Sequence, residues 1–83
     1  MARFLCELDV RLRHGVLDPA GQAVSQSLRQ LGHPVGEVRI GKLIELEVEA
    51  QDAESARAAA VEMAKSVLAN PVLEDFTLTV RPS

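Results

Sequence analysis

Val38-Arg39-Ile40-Gly41-Lys42-Leu43-Ile44-Glu45-Leu46 is the stretch whose reading decides the fold. Val38 and Ile40 alternate with Arg39, while Ile44, Leu46 and Val48 alternate with Glu45, Glu47 and Glu49. A period of two with charged outer positions marks strands buried on one face. Gly41 supplies the backbone freedom that a tight connection uses. The spacing therefore predicts a strand pair over 35–49, joined at Gly41-Lys42. The Gly41-Lys42 step is no phosphate loop: the earlier glycine, the following Ser or Thr, and the strand-to-helix context are all missing.

Upstream, Phe4, Cys6, Leu8, Val10 and Leu12 alternate with Arg3, Glu7, Asp9, Arg11 and Arg13, and only Leu5 breaks the pattern. This predicts a strand over 3–13 in an antiparallel sheet with one covered face. His14-Gly15 ends it as a turn. Asp18-Pro19 then opens a helix, with the aspartate as N-cap and the proline at the first helical position. Ala20, Val24, Leu28 and Leu31 give that helix a single apolar stripe, and Gly32 with His33-Pro34 stops it.

Downstream, Asp52 caps a second helix over 53–69 with Ala56, Ala60, Met63 and Val67 as its expected buried stripe. Asn70-Pro71 terminates it. Phe76, Leu78 and Val80 alternate with Thr77, Thr79 and Arg81 as a last strand. The order is strand, helix, strand, strand, helix, strand. It predicts an α+β fold: a single two-layer domain over 1–83, an antiparallel sheet with two helices on one face, ferredoxin-like or a close variant.

Composition narrows the function. The chain has 83 residues, a formal charge of −3 and 2% aromatic residues. That is enough chain for one two-layer core but not for a deep, walled substrate cavity as well. An acidic chain whose only aromatics are Phe4 and Phe76 offers no basic patch or stacking platform, so no nucleic-acid partner is expected. No apolar run approaches a membrane span, and no signal-peptide core is present; a cytoplasmic protein without a membrane partner is expected. Cys6 is the single cysteine and falls on the apolar strand face, so it reads as a packing thiol.

Candidate chemistry is sparse. Asp18 reads as a helix cap rather than an acid catalyst. His14 and His33 lie in turns. Glu45, Glu47 and Glu49 sit about 7 Å apart along a strand and read as a charged outer face, neutralised by Arg11 or Arg13. No catalytic, cofactor-binding or metal-ligating residue is expected, and the residues alone point to an interaction or regulatory module.

Four segments in register carry a resemblance. They are 16–23 (Val-Leu-Asp-Pro-Ala-Gly-Gln-Ala), Ser27-Leu28 with Leu31-Gly32, Val38 to Lys42 with Ile44-Glu45-Leu46, and 68–76 (Leu-Ala-Asn-Pro-Val-Leu-Glu-Asp-Phe). On these the chain resembles the PurS family, the small subunit of the glutamine-dependent phosphoribosylformylglycinamidine synthase of purine biosynthesis. Leu43 and Phe76 depart from tyrosines often found in that family, so contacts built on those hydroxyls do not carry over.

The resemblance implies a bridging role with no active site on this chain. A glutaminase subunit releases ammonia, and a synthetase subunit uses ATP and magnesium to make the amidine. The small subunit self-associates as a dimer or tetramer, holds the two enzymes together and helps ammonia pass between them. It also implies subunit contacts at Arg39, Gly41, Lys42 and Glu45 around the central turn, and at Asn70 and Glu74 in the 70–74 loop. The runner-up is a stand-alone regulatory domain that binds a metabolite between two copies.

Overall fold

The computed structural model describes all 83 residues. The chain runs β1 (Ala2–Leu12), α1 (Pro19–Gln30), β2 (Lys42–Ala50), α2 (Ala53–Met63), a π-helical continuation Ala64–Leu68, and β3 (Glu74–Pro82). The three strands form one antiparallel sheet in the order β2-β1-β3.

β1 lies in the centre because its alternation is the most regular in the chain. Phe4, Cys6, Leu8 and Val10 are buried, and Leu8 is fully enclosed. Cross-strand register sets Leu8 against Ile44 on one side and Leu78 on the other, and Cys6 against Leu46 and Val80. The apolar positions of all three strands thus share one face, and α2 covers it. Its buried stripe is Ala56, Ala60 and Ala64, whose small side chains let the helix axis approach the sheet closely. Burying a Leu or Val in this layer contributes roughly 1.5–3 kcal/mol. Burial also pushes the Cys6 thiol pKa up, as expected of a packing thiol.

The α+β class and the antiparallel sheet agree with the sequence, but four expectations change. Residues 33–41 carry no strand pairing, so the sheet has three strands rather than four. Gly41 does not take a positive φ, and the chain runs on from Ile40 into β2 without a hairpin. The helix α1 makes no substantial contact with the sheet, so only α2 covers its face. Finally, Ala64 replaces Met63 and Val67 in the buried stripe; Val67 is 80% exposed. Beyond Met63 the backbone widens, with Ala69 N–H donating to Ala64 O at 2.9 Å, which turns Val67 outward.

With no sheet beneath it, α1 packs on residues 35–40 instead. Asp18 accepts from Gly21 N–H and from Ile40 N–H, both at 2.9 Å. Ser25 Oγ donates to Gly36 O at 2.9 Å, and Arg29 donates to the Val35 and Gly36 carbonyls at 3.0 and 3.2 Å. Gly21 is required here: a Cβ would sit inside van der Waals distance of Val38 O and 2.7 Å from Asp18 Oδ2. Helix and extended segment form one arm, and the molecule measures 52 × 25 × 14 Å.

Candidate functional site

The arm leaves the sheet where β1 ends, and the 70–74 loop returns to β3 at the same end. In register, Val10 faces Lys42 and Leu12 faces Glu74. Lys42 and Glu74 therefore flank the last residues of β1 from opposite sides. Between them opens a cleft of about 270 Å³ floored by Val10 and Leu12. Gly41 allows this approach, because a Cβ there would lie 2.5 Å from Val10 O.

Asn70 and Glu74 hold the loop by reciprocal bonds. Asn70 N–H donates to Glu74 Oε1 at 2.7 Å, and Glu74 N–H donates to Asn70 O at 2.8 Å. Asn70 Oδ1 also accepts from Val72 N–H at 3.0 Å. Arg13 fastens the loop to β1: its guanidinium donates to Pro71 O at 2.8 Å and pairs with Asp75 at 3.2 Å. Arg13 thus belongs to the loop and not, as expected, to the β2 carboxylates.

Arg39 turns toward the charged face of the sheet. Half-buried, it donates to Leu12 O, and its Nη1 lies 3.4 Å from His14 Nε2. With Asp9, Arg11 and Thr77 it borders a second cleft of about 230 Å³. Arg11 there is held by Asp9 at 2.7 Å, which depresses the Asp9 pKa. The β2 carboxylates take their cation from Arg3, which lies 3.2 Å from Glu47 and 3.6 Å from Glu49. Glu45 faces Glu7 across the strands, and Arg81 at 2.8 Å serves Glu7 alone. Glu45 has no cation within 4.0 Å.

Arg39, Gly41, Lys42, Asn70 and Glu74 thus gather at one end of the molecule, whereas Glu45 stands further along the charged face. Exposed Ile40, Leu43, Val72 and Leu73 stand among them. Apolar side chains ringed by charge suit contact with another protein. Sequence reasoning gave two positioning residues only part of their roles: Arg13 was assigned to the β2 carboxylates rather than to the 70–74 loop. Asp18 was legible as a cap, but its second oxygen also anchors Ile40. The two backbone donors, from Ile40 first and then Gly21, with Arg39 nearby, hold its carboxyl below the usual range. No group of three or more His, Cys, Asp or Glu is placed to hold a metal ion, and no helix is long and apolar enough to cross a membrane.

Residues 5–82 match the family described as PurS: Phosphoribosylformylglycinamidine (FGAM) synthase. The chain belongs to the PurS family. Its similarity extends over most of its length. The phosphoribosylformylglycinamidine synthase subunit PurS of Synechocystis sp. is 46% identical over 90% of this chain and 76% of that protein. Among solved structures, PurS of Thermus thermophilus superposes with a TM-score of 0.85 at 40% identity, covering 98% of each chain. A chain of PurLQS from Thermotoga maritima superposes with a TM-score of 0.89 at 36% identity, covering 98% of this chain and 100% of that one. The antiparallel sheet with two helices is accordingly an architecture shared with those PurS structures, and it bears out the ferredoxin-like α+β class expected from the order of strands and helices.

Proposed function

We propose that this chain is the small bridging subunit of a phosphoribosylformylglycinamidine synthase in purine biosynthesis. One observation carries the reading: superposition on a chain of PurLQS from Thermotoga maritima over 98% of this chain and 100% of that one. The relatives carry the subunit name, which sets the stand-alone regulatory reading aside.

In this reading the glutaminase subunit makes ammonia and the synthetase subunit consumes it with ATP and magnesium, both in the cytoplasm. Ammonia released to water is diluted and protonated. Fixing the two active sites together raises its effective concentration, which is where a subunit without chemistry accelerates a reaction. The end of the sheet supplies the contacts, with Lys42 and Glu74 at the rim of the cleft and Arg39 and Glu45 toward the charged face. The chain acts as a homo-oligomer, a dimer or tetramer, so that each end is presented more than once.

The test is reconstitution. With synthetase and glutaminase purified separately, adding this chain restores glutamine-driven turnover while ammonium-driven turnover hardly changes. Unchanged glutamine-driven turnover refutes the bridging role.

A further inference from the structure

On the charged side of the sheet, Arg3, Arg11, Arg13 and Arg81 each pair with a carboxylate within 4.0 Å. Arg39, half-buried at the end of that side, pairs with none. Neutral acceptors alone hold its guanidinium: Leu12 O, and His14 Nε2 at 3.4 Å in the tautomer protonated at Nδ1. These bonds use one N–H of each Nη, so Nε and the second hydrogen of each Nη have no partner in the chain. Such acceptors orient a guanidinium without cancelling its charge, which is permanent at any working pH.

That charge borders the cleft of about 230 Å³, which Asp9, Arg11, His14, Asp75 and Thr77 also line. Register sets Asp9 across from Thr77 and Arg11 across from Asp75. Arg11 nevertheless turns along its own strand to Asp9 at 2.7 Å, and Asp75 meets Arg13 through Oδ1 at 3.2 Å, with Oδ2 unpaired. Asp9 is thus balanced by Arg11 and Asp75 by Arg13, and Arg39 remains in excess. One cleft offers both an unanswered guanidinium and a carboxylate oxygen with spare acceptor capacity.

We propose that this cleft binds a free α-amino acid, its carboxylate on the Arg39 guanidinium and its ammonium on Asp75. A simple anion meets only half of these groups, and a phosphate dianion is repelled by both Asp9 and Asp75. A simple amine gains Asp75 but is repelled by Arg11 and Arg39. A zwitterion, with its two charges on neighbouring atoms of one small molecule, satisfies both, and its guanidinium–carboxylate bonds are of the strong, charge-assisted kind. The Thr77 hydroxyl serves a polar side chain as donor or acceptor. Size agrees, since drug-sized ligands occupy sites of about 300–1,000 Å³ and this cleft is smaller. Under the proposed function two such molecules are at hand, the glutamine consumed and the glutamate left behind. That choice of probes rests on the proposed function, whereas the site rests on the cleft alone.

The test titrates the isolated full-length chain with L-glutamine and with L-glutamate, followed by ¹H–¹⁵N NMR that includes the Arg39 Nε–H. Saturable shifts centred on Arg39, Arg11, Asp75 and Thr77 are expected, and the tighter of the two ligands tells substrate from product. Acetate and inorganic phosphate bind at least about 10-fold more weakly, because neither supplies the ammonium. Arg39→Gln and Asp75→Asn, each checked for folding by circular dichroism, weaken amino-acid binding by at least about 10-fold. Asp75→Asn leaves acetate binding no weaker, which separates loss of the ammonium contact from general damage. Thr79→Ala, on the same strand outside the cleft, binds as the wild type does. Absence of saturable shifts with both amino acids overturns the proposal, as does acetate or phosphate binding as tightly as either. So does an Asp75→Asn chain that keeps wild-type affinity, a result that decides the matter even if Arg39→Gln fails to fold. The bridging role is read separately, from glutamine-driven turnover of the reconstituted enzymes, so either can fail without the other.

Discussion

Replacing Gly21 with alanine tests whether the arm is a rigid unit. In an ordinary helix the change would be favourable, because glycine is about 1 kcal/mol less favourable than alanine in a helix interior. Here the new Cβ would overlap Val38 O and crowd Asp18 Oδ2 at 2.7 Å. The first obstacle is backbone, which cannot rotate away as a flexible side chain can. Overpacking at such a site costs about 1–3 kcal/mol, with a backbone contact toward the upper end. Subtracting the helix gain leaves a net destabilisation of about 1–2 kcal/mol. Gly36→Ala is the control, since its Cβ would meet nothing within 4 Å. That change should be neutral or stabilise by up to about 1 kcal/mol through the unfolded chain. Urea denaturation at fixed protein concentration reads both variants, and the Ile40 amide resonance reports whether the extended segment has moved. A Gly21→Ala protein as stable as wild type, with an unshifted Ile40 amide, refutes the close packing of helix on segment.

Leu8→Ala removes a fully enclosed side chain and should destabilise by about 2–5 kcal/mol in the same assay. Leu5→Ala, on the charged face, should change stability by less than about 1 kcal/mol. The Asp18 carboxyl has its pKa depressed in the folded state, so its contribution is fully present above the unfolded value of about 3.9 and is lost as pH falls through the folded value. The protection of the Ile40 amide, taken relative to its intrinsic exchange rate, should therefore fall below about pH 4, and Asp18→Asn should remove most of that pH dependence. Lys42→Glu should weaken binding of the synthetase and glutaminase in pull-down titrations while leaving the circular dichroism of the isolated chain unchanged.

β1 was readable residue by residue because strict alternation needs only one covered face, and α2 provides it. Both helix caps were readable too, since Asp18 and Asp52 act on amides three residues away: Gly21 at 2.9 Å and Ser55 at 2.8 Å. What failed to follow depended on pairing over long range. Alternation at Val38 to Ile40 predicts a strand but not where its partner lies, and the chain itself offers none. Arg3 rather than Arg11 or Arg13 neutralises the β2 carboxylates because register, invisible to the sequence, places Arg3 opposite Glu49. The α2 stripe was read from its largest apolar residues, Met63 and Val67, whereas close approach to the sheet selected the small Ala64. The candidate site divided along the same line. Gly41, Lys42, Asn70 and Glu74 sit beside the end of β1, although Gly41-Lys42 leads into β2 rather than forming the hairpin turn the sequence predicts. The roles of Arg13 and of the second Asp18 oxygen needed the folded geometry.

The bridging role is tested most directly by initial rates of amidine formation from glutamine and from ammonium, with and without this chain, at fixed synthetase and glutaminase. The account predicts that the chain raises the glutamine rate and leaves the ammonium rate nearly unchanged. A glutamine rate that is the same with and without the chain contradicts it.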